Sequence, residues 1–204
     1  MADRVRLMGT CIHESGHAVV SYLLGAEISH VAVSGESTGE VTPECSLCRR
    51  CLQYYEQHDP AEYPHSQQIQ DDLRRSVAIT LAGELAESRL GEGDSVDEKD
   101  LRQDRFLSRE RANAVNLWMR CGCYGRLKGE GECQECDALM AAVRGRVGEI
   151  IAKPGVSDAI VALAKHLADR RRLNGDEVSQ FLAERGLRFG SVGEEDDLPA
   201  APRK

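Results

Sequence analysis

The stretch His13-Glu14-Ser15-Gly16-His17, followed by Ala18-Val19-Val20, organises the reading of the whole chain. It has the pattern H-E-x-x-H. On a helix, residues four apart lie on one face, so the two imidazoles stand side by side with Glu14 next to the first. A zinc ion takes such a pair at about 2.0–2.1 Å and needs a third protein ligand and an open position for water. The glutamate is then placed to accept a proton from that water. This chemistry requires the motif to be helical. Val5, Met8, Ile12, Gly16, Val19 and Leu23 follow steps of three and four, which predicts a helix through the motif with Asp3 as its N-cap. A glycine costs about 1 kcal/mol in a helix interior relative to alanine. Gly16 therefore implies that another backbone passes close by.

The chain has 204 residues, 41% hydrophobic and 29% charged, which suits one soluble domain with a buried core. Aromatic residues are only 4%, so aliphatic side chains must fill that core. A net charge of −8 argues against nucleic acid as a partner. No apolar run approaches a transmembrane span, and the N-terminus leads into a helix without signal-peptide architecture. The expected compartment is the cytoplasm. Eight cysteines in such a chain point to metal or redox chemistry rather than a disulfide framework. Cys45, Cys48 and Cys51 form C-x2-C-x2-C, Cys121 and Cys123 form C-x-C, and Cys133 and Cys136 form C-x2-C. Cys11 stands alone in the first helix and reads as a small core residue.

Beyond the motif, Ile28–Ser34 alternates as a short strand, and Gly39 to Thr42 reads as a second one ended by Pro43. Residues 44–66 are polar, cysteine-containing and proline-punctuated, an insertion. Ile69, Leu73, Val77, Leu81 and Leu85 predict a long helix to about Leu90. Ser95-Val96-Asp97-Glu98 has capping-box spacing and opens a helix to about Met119. Residues 121–136 include a glycine-rich, cysteine-containing loop. Further helices are predicted from Asp137 to Ile151, around Ile160 to Ala168, and around Val178 to Leu182 after Asn174-Gly175. The Arg170-Arg171-Arg172 run reads as a solvated helix end. The domain is expected to cover residues 1–189, and residues 190–204 read as a disordered acidic tail. The fold class is mainly α (α+β), with a small two- to three-stranded sheet.

Two histidines need a third ligand. The acidic stretch from Asp94 to Asp104 contains it on this reading. Asp104 lies on the apolar stripe of its helix with Leu107, Ser108, Ala112 and Val115, and a buried carboxylate needs a partner such as a metal. Asp100 sits one turn earlier and competes with it. Glu84 and Glu87 on the preceding helix are rivals. His30, His58, His65 and His166 have no partner spacing and read as surface or loop residues.

Four segments in order resemble the peptidase domain of the FtsH-type ATP-dependent zinc proteases. They are His13-Glu14-Ser15-Gly16-His17-Ala18-Val19-Val20, the Val31 to Pro43 strands with Gly39-x-Val41-Thr42, Leu81-Ala82-Gly83-Glu84-Leu85-Ala86-Glu87, and Leu163 to Leu182. The resemblance implies a helical zinc peptidase domain in which His13, His17 and an aspartate hold Zn²⁺ and Glu14 is the catalytic base. It places the aspartate early in the helix after the third segment: Asp100-Leu101-Arg102-Gln103 matches the family's letters, while Asp104 better matches its spacing. Such a chain is expected to be a metalloendopeptidase that hydrolyses unfolded or small protein substrates through a Glu-activated, zinc-bound water. The family's transmembrane and ATPase parts and its P-loop have no counterpart in the sequence, so the expectation is a stand-alone relative. A hexameric homo-oligomer, or a separate ATPase partner, follows from the resemblance alone. The alternative is a catalytically silent, metal-stabilised binding or adaptor module.

The cysteine clusters are not part of the family pattern. Cys45, Cys48, Cys133 and Cys136 form two C-x2-C knuckles, candidates for a second, structural zinc. An iron–sulfur cluster would take the same thiolates, and Cys51, Cys121 and Cys123 offer alternative ligands. Reduced loop thiols that bind nothing are the remaining reading.

Overall fold

The structure, a computed structural model, describes residues 2–34, 39–43, 67–91 and 134–192, with side chains for 7–34, 74–91 and 138–192. In chain order the elements are α1 (Ala2–Leu23), β1 (Ile28–Val33), β2 (Gly39–Pro43), α2 (Gln67–Leu90), α3 (Gln134–Ala152), α4 (Pro154–Arg170), β3 (Arg172–Asn174) and α5 (Gly175–Ala183). The mainly helical class with a small sheet is what the periodicities predict. The expected helix from Ser95 to Met119, the 44–66 insertion and the loop before Cys133 lie outside the described residues. Among the described residues no helix is long and apolar enough to cross a membrane.

The motif helix α1 is the centre of the fold. Its apolar residues at three- and four-residue spacing predict one buried stripe, yet every residue from Thr10 to Leu24 is buried. The reason is that α2, α4 and the sheet cover α1 from several sides. It starts at Ala2, so Asp3 lies within the helix rather than capping it. Gly16 behaves as its cost implies. A methyl there would lie 2.6 Å from the Ala86 side chain and 2.8 Å from the Ala82 carbonyl oxygen. The backbone of α2 runs against α1 at this point, and the close approach offsets the propensity lost.

The core is aliphatic, as the low aromatic content requires. Val19, Val20 and Leu24 of the α1 region join Ile150 and Ile151 of α3, Ile160, Leu163 and Leu167 of α4, and Leu182 of α5, all fully buried. Each such side chain contributes about 1.5–3 kcal/mol relative to exposure. Cys11 is 0% exposed, a core residue as expected.

Pro154 does more than end α3. It occupies the first turn of α4, where its missing N–H costs nothing, with Lys153 extended before it. At the other end Arg171 takes the left-handed conformation, φ 64°, and its N–H bonds the Leu167 carbonyl. That conformation costs a non-glycine residue about 1–2 kcal/mol. The Arg171 carbonyl in turn accepts from Val33 N at 2.9 Å, tying the turn to β1. The chain then forms β3, which no period-two pattern announces because it is three residues long with one apolar position. The sheet order is β2-β1-β3, antiparallel throughout, with Val31 between Val41 and Leu173. Asn174 caps α5 in a reciprocal capping box with Glu177. Docking of the chain continues past the expected domain boundary at 189: Gly190 N and Val192 N donate to the Tyr22 and Leu23 carbonyls, and Val192 is buried.

Candidate metal centre

The H-E-x-x-H motif sits in the buried part of α1, facing α2. His13, Glu14 and His17 are 3%, 7% and 8% exposed. Helical geometry sets Glu14 roughly 60° round the axis from His17, at the flank of the histidine pair. The Nε2 atoms of His13 and His17 lie 3.1 Å apart, with the rings nearly perpendicular.

Each imidazole is held from behind by α2. His17 Nδ1 lies 2.7 Å from the Ile79 carbonyl oxygen, and His13 Nδ1 lies 3.3 Å from Glu87 Oε2. A carbonyl oxygen accepts and does not donate, and so does an ionised carboxylate. His17 Nδ1 therefore donates to the Ile79 carbonyl, and the matching tautomer of His13, with its hydrogen directed at Glu87, would leave both Nε2 atoms open to one cation. A proton or a metal cation between the two nitrogens satisfies this contact. For tetrahedral zinc with bonds of about 2.0–2.1 Å, two nitrogen ligands stand roughly 3.3–3.4 Å apart. The 3.1 Å separation is close to that edge, so the pair fits two corners of a zinc site.

The face of α2 that does this repeats every four residues: Ile79, Gly83 and Glu87. Gly83 lies beneath the two rings. A methyl on it would collide with His17 Nε2 and come within 2.6 Å of His13 Nε2. Only a bare backbone lets the imidazoles lie this close to α2.

The structure separates the two rival glutamates. Glu84 forms a two-point ion pair with Arg144 of α3, at 3.0 and 3.3 Å. Glu87 lies behind His13, at Nδ1 rather than at the converging Nε2 atoms. Its contact was hidden from sequence because Glu87 and His13 are 74 residues apart. The one available signal was its place in the A-G-E-L-A-E segment. The Ile79 carbonyl leaves no signal at all, being backbone.

The other expected ligands are not brought to this centre by the described residues. Asp104 and Asp100 lie outside them, as do Cys45, Cys48 and Cys133; Cys136 falls in the first turn of α3, where side chains are not described. Among the described residues no group of three or more His, Cys, Asp or Glu side chains is gathered to hold a metal ion. His30 and His166 stand apart from the centre. The first contacts Ser29 Oγ on β1 and the second stacks on Phe181. No protein-family model matches the chain, and no curated protein matches it.

Proposed function

We propose that the chain is a zinc-dependent endopeptidase of the FtsH-like kind, acting on unfolded or small protein substrates. The observation that carries this reading is the convergence of His13 Nε2 and His17 Nε2 at 3.1 Å, both rings held at Nδ1 by acceptors on α2. His13 and His17 would hold the metal, completed by Asp104 or Asp100. When bound, zinc supplies Lewis acidity, which polarises the scissile carbonyl and acidifies the attacking water. Glu14 takes the proton of that water and returns it to the leaving amine. Its burial beside the histidines limits competing solvent and suits a carboxylate acting as base. An extended peptide added to the outer edge of β2 is the binding mode this reading implies, since β2 is an edge strand among the described residues and packs on α1. A second zinc on Cys45, Cys48, Cys133 and Cys136 is a separate proposal, tested by a metal count of about two per chain rather than about one.

The test is Glu14→Gln with zinc content measured alongside. Wild-type chain is expected to cleave an unfolded protein, to stop when chelated, and to resume on adding zinc. The variant is expected to keep zinc and lose cleavage. Cleavage that survives in the variant removes Glu14 as the base. Zinc retained by a wild-type chain with no turnover makes the protein a metal-stabilised binding module instead. Separate Asp104→Ala and Asp100→Ala variants identify the third ligand by which one loses zinc.

A further inference from the structure

We infer that Glu87 is a positioning residue for His13, holding its imidazole in the tautomer and direction that turn Nε2 toward His17. The inference deepens the zinc reading above and rests on it for its functional meaning.

The geometry is a carboxylate-to-imidazole contact between two buried groups. Glu87 Oε2 lies 3.3 Å from His13 Nδ1, and the side chains are 8% and 3% exposed. Burying a carboxylate costs several kcal/mol unless positive charge or hydrogen bonds offset it. A fold that needed only packing at this position would be served by leucine. The carboxylate sits where it accepts the Nδ1 hydrogen, which leaves Nε2 unprotonated and makes the imidazole a stronger donor toward a cation. His17 has the same arrangement with a neutral acceptor, the Ile79 carbonyl at 2.7 Å. The two histidines thus differ. One is fixed by backbone and cannot be altered by changing an acceptor side chain. The other meets an acceptor side chain, Glu87, four residues along α2 from the bare Gly83 backbone. Glu84 is on the same helix but is engaged with Arg144, so it does not duplicate the role.

The experiment compares wild type, Glu87→Gln and Glu87→Leu. Three readouts are taken: the nitrogen chemical shifts of His13 in metal-free protein, the zinc dissociation constant, and the metal-free melting temperature. In wild type His13 is expected to carry its hydrogen on Nδ1. The Gln variant keeps an accepting oxygen and is expected to keep that tautomer with a modest loss of zinc affinity. The Leu variant is expected to show mixed tautomers and zinc binding weakened about 10–100-fold. A Leu variant with the wild-type tautomer and wild-type zinc affinity overturns the inference. So does one whose only change is a lower metal-free melting temperature that Gln does not rescue, since that marks a structural role. A wild-type chain that binds no zinc sinks the zinc reading, and the tautomer comparison still decides the role of Glu87.

Discussion

His13 and His17 face each other Nε2 to Nε2 across 3.1 Å while each Nδ1 lies against a different residue of α2. The pair is preorganised to share one cation. Removing either ring, as in His17→Ala, is therefore expected to weaken zinc binding by more than the about 10–100-fold that loss of an outer partner costs. Equilibrium dialysis against a competing chelator measures it. Unchanged affinity would mean that zinc, if bound, sits elsewhere.

Gly83→Ala sets two effects of opposite sign against each other. Helix propensity favours alanine by about 1 kcal/mol. The added methyl would collide with His17 Nε2 and lie 2.6 Å from His13 Nε2, and overpacking of this kind costs about 1–3 kcal/mol. The clash is expected to win, lowering both stability in urea and zinc affinity. A stabilised variant with full affinity would show that the rings do not need the bare backbone.

Ser21 and Ser15 lie on α1 at 0% exposure, and neither hydroxyl has a hydrogen-bond partner among the described residues. An unsatisfied buried hydroxyl costs about 1–3 kcal/mol, and alanine is the better helix former. Ser21 follows His17 by one helical turn, so zinc affinity is measured beside stability to separate the two effects. Ser21→Ala is expected to stabilise the chain by roughly 0.5–2 kcal/mol in chemical denaturation. A destabilised variant would reveal a partner for the hydroxyl.

Cys11 gives a pH signature. Burial pushes its thiol from the usual 9.0 up to about 12, with Arg171 opposing and Glu14 reinforcing the shift. The raised value means that the folded state holds the proton longer than the unfolded one. The stability it contributes is complete below about 9.0 and is lost as pH rises toward about 12. Cys11→Ala is expected to flatten the loss of stability over that window. In the native state at neutral pH Cys11 is expected to resist alkylation, and to react fully in denaturant, as read by mass spectrometry. Rapid native labelling would contradict its burial.

The sequence by itself determined that the H-E-x-x-H motif lies on a helix, that further helices follow it along the chain, and that a glycine at position 16 marks a close backbone approach. These features are local. Spacing of three and four or a glycine in a helix interior each act within a few residues, so the chain states them directly. Only the tertiary structure decided that α1 is buried all round, that Arg172–Asn174 pairs as a third strand, and which glutamate serves which partner. Glu84 and Glu87 are equivalent in a sequence pattern. Their different fates, one on Arg144 and one on His13, follow from the rotation of α2 about its axis as it packs on α1 and α3. The same rotation brings the Ile79 carbonyl to His17, a contact made by backbone and hence independent of the residue type written at position 79.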